Sequence, residues 1–339
     1  MSIRIAFAGF RHYHIDELYE FAVKHHDIEV VAAAEDNADE AKAAEKRGVT
    51  ITDTSIDALF ARADDFDAVA VGDYFGRRGS IAIRALEAGK HVIVDKPLCT
   101  SLDELAEIDR LRREHSLVVG CMLNNRDAGQ FITLKKIIGA GTIGEVETIA
   151  FGGQHPLLYG ERPNWYFEEG KHGGSINDIG IHAIDIIPWM CGHEWNRVIA
   201  TRVWNNRLPA HPHFQVCAQM MLELASGAGV LGDVSYLSPD SQGYAVPTYW
   251  RYTIHGTEGI LETGMKVDEV KLWQNGSEGV ETIAPEPDRT DGVYLDFLNE
   301  VEGKSELCDL TADQIIDSSR LTLQIQSAAD RKQYPQELS

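Results

Sequence analysis

The chain has 339 residues, of which 44% are hydrophobic and 25% charged, and its formal net charge is −22. These values are typical of a globular protein with one large or two ordinary domains, and so much negative charge argues against nucleic-acid binding because it repels phosphate backbones. No apolar run approaches the roughly 18 residues that a membrane-spanning helix needs. The first residues lead into a strand-like segment without the features of a signal peptide, and the five cysteines form no CxxC pair. We therefore expect a cytoplasmic protein with reduced thiols and no membrane partner.

In the first 122 residues, short apolar runs alternate with stretches whose hydrophobic residues recur with helical periodicity. Short apolar runs predict strands that are buried on both faces of a parallel sheet; they are Ile3–Ala8, Ile28–Ala34, Asp67–Val71, His91–Val94 and Leu117–Cys121. Helix-period stretches separate them, such as Leu102–His115, for which Ser101 is the expected N-cap. The alternation predicts an α/β domain over residues 1–122 with a doubly wound parallel sheet of the Rossmann type.

The pattern changes after about residue 123. The stretches Gly129–Ile138 and Asp178–Met190 are predicted helices, and the tail Thr311–Ala329 is helical again. Five further segments are predicted strands: Val198–Trp204, Phe214–Leu224, Val230–Leu237, Tyr249–His255 and Val270–Gln274. This order predicts an α+β domain over residues 123–339 with an open, mostly antiparallel sheet and a final helix that can return to the first domain.

The turn after the first predicted strand is where a dinucleotide-binding Rossmann fold carries G-x-G-x-x-G. Only Gly9 is present, while Arg11 and His14 stand at the second and third glycine positions. The next helix still offers its N-terminal N–H groups to a phosphate, and Arg11 can add charge-assisted hydrogen bonds. The alternative is an ordinary turn that binds no nucleotide.

The second predicted strand ends in Ala34-Glu35-Asp36. An acid about 20 residues after the turn accepts hydrogen bonds from the adenosine ribose and repels a 2′-phosphate. The spacing of Glu35 therefore favours NAD over NADP, with a solvated acidic loop as the alternative.

Two further segments carry candidate chemistry. Asp95-Lys96-Pro97 places a lysine at the carboxyl end of the fourth predicted strand, where ligands bind in such folds. In the segment Gly173–Asp185, Asp178 and His182 are four residues apart and are expected to share one face of a helix, with Asp185 fixing the tautomer of His182. The alternatives are a surface strand end and a capped helix with a buried structural histidine.

In this order the motifs resemble the Gfo/Idh/MocA oxidoreductases, the family of glucose–fructose oxidoreductase and inositol dehydrogenase. The resemblance covers nearly the whole chain, although the usual Glu-Lys-Pro reads Asp-Lys-Pro here. It rests on the Gly9 turn, Glu35, Ala85–His91, Asp95-Lys96-Pro97, Asn125-Arg126, Gly144-Glu145-Val146, Gly173–Asp185, Gly256–Gly259 and Tyr294–Phe297.

The resemblance implies an enzyme that transfers a hydride between NAD(P) and a hydroxyl or keto carbon of a sugar, polyol or sugar derivative. In such an enzyme Lys96 contacts the nicotinamide ribose and a substrate hydroxyl, His182 is the general acid/base, and Asp178 supports it and binds substrate. An imidazole suits proton transfer near neutral pH, and an ammonium eases alkoxide formation. The residues assigned to the cofactor are Gly9, Phe10, Arg11, His14, Glu35, Asp73 and Lys96.

Two departures from the family pattern lie where the cofactor belongs: the incomplete glycine turn, and Arg78 at the position of a usual histidine. They indicate an atypical branch and leave two other functions open. One is a glycoside hydrolase or lyase that uses tightly held NAD in a transient oxidation. The other is a sugar-binding or regulatory protein that has lost its cofactor.

The segment between Gln154 and His172 is rich in aromatic residues and histidines and is predicted to bind substrate, with a packed or exposed loop as the alternative. The residues assigned to the carbohydrate-like substrate are Arg126, His155, Trp165, His172, Asp178 and His182. His211-Pro212-His213 lacks metal-type spacing, so no metal is predicted.

Family members are commonly dimers or tetramers joined through the open sheet of the second domain. We expect a homodimer or homotetramer of this kind, with an exposed sheet face near Met220, Met221, Val230 and Tyr236.

Overall fold

The computed structural model describes residues 2–338, and the chain divides into two compact units. The first contains the chain up to Met122 together with Gly170–Gly173 and Asp291–Ser319, and the second contains the remaining segments. The segment Asp291–Ser319 thus belongs to the first unit. It lies within the range 123–339 that was predicted as the second domain, whose final helix was expected to be able to return to the first.

The first unit is built on a five-stranded parallel sheet. Its strands are β1 (Ile3–Phe10), β2 (Ile28–Ala34), β3 (Ala68–Gly72), β4 (His91–Val94) and β5 (Val119–Cys121). Their order is β2-β1-β3-β4-β5, and β3 is buried along its whole length, as expected of a central strand in a doubly wound sheet. The predicted Rossmann sheet is therefore confirmed, and its strands bring the ends of β1, β3 and β4 to one edge.

Some of the α-helices begin after a polar residue whose side chain accepts hydrogen bonds from their first amides. Ser101 accepts hydrogen bonds from the amides of Asp103 and Glu104, at 3.2 and 3.5 Å, which confirms it as the N-cap. The helices are α1 (His14–Lys24), α2 (Ala38–Lys46), α3 (Ile56–Phe60), α4 (Phe75–Glu87), α5 (Leu102–His115), α6 (Gly129–Gly139), α7 (Ile181–Cys191), α8 (Gly292–Val301) and α9 (Ala312–Arg331).

The second unit contains a nine-stranded sheet. Its strands are β6 (Val146–Pro156), β7 (Trp195–Trp204), β8 (Cys217–Leu224), β9 (Gly229–Ser238), β10 (Arg251–Gly256), β11 (Gly259–Gly264), β12 (Val270–Gln274), β13 (Glu281–Ile283) and β14 (Gln336–Glu337). The order is β13-β12-β11-β10-β6-β9-β8-β7-β14. The pair β6 and β9 is parallel, and the other neighbouring pairs are antiparallel. The predicted α+β architecture is confirmed, with β6 as a central strand that the sequence did not predict.

One face of this sheet is exposed, but its residues differ from those expected. Met220, Val230 and Tyr236 are buried, whereas Met221 and Leu231 are about half exposed, at 49% and 57%. Successive strand residues point to opposite faces, so a position displaced by one residue lies on the other side of the sheet.

Between residues 2 and 338, no helix combines the length and the apolar character that crossing a membrane requires.

Candidate active site

The turn after β1 depends on its single glycine. Gly9 has a φ of +84°, which favours glycine, and a Cβ added there would lie 2.8 Å from the Asp73 Cβ. Phe10 is buried, with its ring stacked 6.0 Å from that of Phe7. Its contribution to the turn is therefore its backbone. The chain then enters α1 at His14.

Glu35 is tied to this turn rather than exposed at the sheet edge. It is 2% exposed. Its Oε2 accepts the Phe10 amide at 2.8 Å, and its Oε1 accepts the Arg11 Nε and the Asn37 amide, both at 2.8 Å. A carboxylate has about four acceptor positions, so protein donors use most of them. Two residues that the sequence assigned separately to the cofactor thus form an ion pair.

Asp36 is an exposed acid that was not among the predicted cofactor residues. Its Oδ1 lies 2.6 Å from Arg11 and its Oδ2 lies 2.6 Å from Arg77. Arg77 also reaches the buried Asp73 at 3.0 Å. Burial would raise the pKa of Asp36, but the hydrogen bond and charge of Arg77 and the charge of Arg11 lower it. An anion is therefore held between two guanidinium groups at the edge of the sheet.

Lys96 follows the end of β4 and is 4% exposed. Its Nζ lies 5.9 Å from the centre of the Phe75 ring, and its peptide bond to Pro97 is cis. The ring of His172, which the sequence assigned to substrate, lies 5.5 Å from the same Phe75 ring. The structure thus brings Lys96 and His172 to one aromatic side chain within the first unit.

Asp95, beside Lys96, is fully buried. Its Oδ2 lies 2.5 Å from His12 Nδ1 and 2.7 Å from Arg78 Nη2, and its Oδ1 lies 3.5 Å from His14 Nδ1. Burial would raise the pKa of Asp95, but the charge of Arg78, together with the contacts of His12 and His14, holds it well below its usual range. His12 was not predicted, because nothing in its local sequence relates it to a residue 83 positions away.

In the second unit, Asp178 lies in a π-helix that covers Ile176–Gly180 and leads directly into α7. The predicted α-helix from Asp178 therefore begins three residues later, at Ile181. Gln326 supports the π-helical turn, because its Oε1 accepts the Ile176 amide at 3.0 Å. Wide turns of this kind occur frequently at functional sites, and this one sets where Asp178 and His182 project.

Tyr236 donates a hydrogen bond to Asp178 Oδ2 in the interior of the second unit. Burial, and then the charge of Asp178, raise the pKa of Tyr236 well above its usual value, so the hydroxyl stays a donor. The guanidinium of Arg162 lies 5.3 Å from the Tyr236 ring and 4.8 Å from the Tyr166 ring. Neither Arg162 nor Tyr236 was predicted as a site residue, since nothing in the local sequence relates them to Asp178.

The predicted substrate residues of the second unit share an aromatic cluster. The rings of His182 and His155 lie 5.4 and 6.0 Å from that of Trp250, and Trp165 stacks on Tyr166 at 4.2 Å. His155 also lies 6.3 Å from Tyr236, the partner of Asp178. Such aromatic faces and polar edges suit a sugar-like guest.

Arg126, which was assigned to the substrate, is buried and forms an ion pair in the second unit. It is 3% exposed, and its Nε and Nη2 bind Asp185 Oδ2 and Oδ1 at 2.9 and 2.7 Å. Asp185, which was predicted to fix the tautomer of His182, accepts both of these hydrogen bonds and so pairs with Arg126 in a bidentate manner.

Comparison with known proteins places both halves of the chain in one family. Residues 3–122 match the oxidoreductase family with an NAD-binding Rossmann fold, and residues 131–262 match the GFO/IDH/MocA C-terminal domain. An inositol 2-dehydrogenase/D-chiro-inositol 3-dehydrogenase from Shouchella clausii is 26% identical over 301 residues, covering 87% of this chain and 81% of that protein.

Other relatives match in sequence over part of the chain or in fold over all of it. A scyllo-inositol 2-dehydrogenase (NADP(+)) from Bacillus subtilis is 28% identical over 192 residues, covering 54% of this chain and 51% of that protein. The fold agrees with that of levoglucosan dehydrogenase in complex with NADH, with a TM-score of 0.80 over 100% of both chains at 18% identity. Since the two matched models describe the N-terminal and C-terminal domains of one enzyme family, this chain belongs to the Gfo/Idh/MocA oxidoreductases.

Proposed function

We propose that this protein is an NAD-dependent oxidoreductase that interconverts a hydroxyl and a keto carbon of a sugar, polyol or sugar derivative. Lys96, Asp178 and His182 form its catalytic group. The observation that carries the proposal is the buried, hydrogen-bonded setting of Asp178 next to the His182 segment, within an aromatic cluster suited to a carbohydrate.

The edge of the first sheet fits a dinucleotide. Gly9 leaves the backbone of the turn uncovered by a side chain. Helix α1 begins shortly afterwards, so the positive end of the α1 dipole lies next to the turn, as in other dinucleotide sites. Asp36, with a side chain that is 27% exposed, is better placed than the buried Glu35 to accept hydrogen bonds from a ribose. When bound, NAD would accept the hydride that leaves the carbinol carbon.

The residues of the chain supply the proton chemistry. As the carbon–hydrogen bond breaks with its electron pair, the hydroxyl proton passes to the His182 imidazole and a carbonyl forms. The Lys96 ammonium stabilises the negative charge that develops on the substrate oxygen. Asp178, kept in place by the Tyr236 hydroxyl, binds a neighbouring substrate hydroxyl and supports His182.

Asp36 supports the preference for NAD over NADP. Its carboxylate occupies the space between Arg11 and Arg77, which are the cations that a 2′-phosphate would otherwise attract. Replacing Asp36 with Ala is expected to improve NADP binding relative to NAD by about 10-fold or more, since like charges at about 4 Å repel by roughly 1 to 4 kcal/mol. Titration calorimetry with both cofactors measures this, and Asp39→Ala, which removes an exposed acid of α2, is the matched control.

The main experiment is a screen of polyols and sugars with NAD, followed at 340 nm, on the purified protein. His182→Ala and Lys96→Ala are each expected to keep the fold and to lose at least about 100-fold in kcat. Turnover close to that of the wild type in either variant would contradict the assigned role. Net hydrolysis or elimination without NADH accumulation would select the non-redox alternative, and a thermal shift with sugars but none with NAD would select a binding protein.

A further inference from the structure

Arg78 contacts the chain segment that carries Lys96. It is fully buried, and its Nε donates to the Asp73 carbonyl at 2.8 Å. Its Nη1 donates to the Asp95 carbonyl at 2.7 Å, contacts the Lys96 carbonyl, and lies 3.4 Å from the Pro97 carbonyl. One guanidinium therefore spans three consecutive peptide groups around Lys96.

The same guanidinium neutralises the carboxylate next to Lys96. Its Nη2 binds Asp95 Oδ2 at 2.7 Å. His12 contacts the same oxygen at 2.5 Å, but burial lowers the pKa of His12 to about 3, so it carries no charge at neutral pH. Arg78 is thus a permanently charged partner of Asp95, and separating the two would leave a buried carboxylate without this counter-charge.

Phe75 provides a common surface for both cations. The Arg78 guanidinium lies 4.5 Å from the centre of the Phe75 ring, and the Lys96 ammonium lies 5.9 Å from it. Two residues of α4 therefore constrain Lys96. The Phe75 ring lies near its ammonium, and the Arg78 guanidinium binds its backbone carbonyl.

We propose that Arg78 is a positioning residue that fixes the Asp95–Pro97 peptide and thereby the ammonium of Lys96. The inference rests on the role given to Lys96 in the proposed function. A planar guanidinium with five donors can bind several carbonyls and a carboxylate at once, whereas a lysine ammonium at this position is a point charge with three donors. Arg78→Lys keeps the positive charge beside Asp95 but removes most of the hydrogen bonds to the peptide carbonyls. It therefore distinguishes the positioning of Lys96 from the neutralisation of Asp95.

The first measurement needs neither substrate nor cofactor. Lysines are dimethylated with ¹³C-formaldehyde, and the Lys96 resonance is identified by its loss in Lys96→Arg. We expect this resonance to move or split in Arg78→Lys and in Arg78→Gln. It should stay unchanged in Arg84→Lys, a control on the same helix whose guanidinium binds Asp57 at 2.6 Å on the surface. An unchanged Lys96 resonance in the Arg78 variants would overturn the proposal.

The second measurement is a double-mutant cycle on kcat. Arg78→Lys is expected to lower kcat at least about 10-fold when Lys96 is present and less than about 2-fold in the Lys96→Ala background. Equal losses in both backgrounds, or loss of the cooperative thermal transition in both Arg78 variants, would make the role purely structural and overturn the inference. A wild type without turnover would contradict the proposed function. The Lys96 resonance would then be the measurement that tests whether Arg78 positions Lys96.

Discussion

The Tyr236 hydroxyl donates a hydrogen bond to Asp178 in the interior of the second unit. Tyr236→Phe leaves that carboxylate without this donor, so we expect the free energy of unfolding to fall by about 1–3 kcal/mol and kcat to fall with it. Urea denaturation and steady-state kinetics measure the two effects. Tyr252→Phe is the matched control, because Tyr252 is equally buried and its hydroxyl has no hydrogen-bond partner among residues 2–338. Equal effects of the two substitutions would refute the importance of the Asp178 contact.

His12 makes stability depend on pH. Burial, with smaller contributions from His14 and Arg78, lowers the pKa of His12 to about 3, and Asp95 offsets this only partly. The unfolded chain binds a proton at His12 below its ordinary pKa of about 6.5 and the folded chain does not, so stability falls as the pH falls from about 6.5 towards 3. This residue should contribute a loss of about 2 kcal/mol between pH 6.5 and pH 5.

Urea unfolding of the wild type and of His12→Asn at these two pH values tests this expectation. The variant lacks the titrating group, so its free energy of unfolding should change less over the interval, whatever its absolute stability. Asp95 does not interfere, because its pKa lies below the interval in the folded chain. The same loss in both proteins would show that other groups cause the pH dependence.

The sequence identifies candidate site residues where the signal is local, but it does not identify the distant residues with which they pair. Gly9 and Lys96 stand next to strand ends that are visible as apolar runs. The pairs of Arg11 with Glu35 and of His12 with Asp95 join residues 24 and 83 positions apart. They exist because β1 lies beside β2 and is separated from β4 by β3 alone in the sheet. Side-chain conformation then decides which donors reach each carboxylate.

At the level of secondary structure, α5 is predicted with its observed bounds because the capping signal and the helix period agree. Ser101 supplies the cap by accepting two amide hydrogen bonds. Ser101→Ala should lower the free energy of unfolding by about 1 kcal/mol. Ser80→Ala is the control, since the exposed Ser80 hydroxyl bonds a carbonyl within α4 and satisfies no terminal amide; it should change stability by less than about 0.5 kcal/mol. Chemical denaturation that gives equal losses would contradict the cap.

Strand β6 shows why other elements escape prediction. It contains Gly152-Gly153, and glycine disfavours a strand assignment. A Cβ at Gly153 would lie 2.9 Å from the Trp250 ring. A glycine is therefore required here by the packing of a tryptophan that lies far away in the sequence. The π-helical turn at Asp178 is not visible in the local sequence for a similar reason. It is stabilised by Gln326 of α9, which is distant in the sequence.

For the whole molecule, the exposed face of the second sheet is the surface expected to join subunits. Ala200, Met221, Leu231 and Ala150 are register neighbours across β7, β8, β9 and β6, and they line a groove of about 510 Å³. Each chain carries a net charge of −22, so association must overcome repulsion. Salt screens that repulsion, and an apolar contact should therefore persist or strengthen as salt concentration rises.

Leu231 is the most direct test of this surface, because it is 57% exposed in the single chain and lies within the apolar row. We propose that it becomes buried in a homodimer or homotetramer. Leu231→Glu should then lower the native mass measured by light scattering after gel filtration, because an unpaired carboxylate at an apolar interface costs several kcal/mol. Leu307→Glu introduces the same charge at a leucine that is 61% exposed in the first unit, and it should leave the mass unchanged. A monomeric wild type, or equal behaviour of the two variants, would exclude this face as the interface.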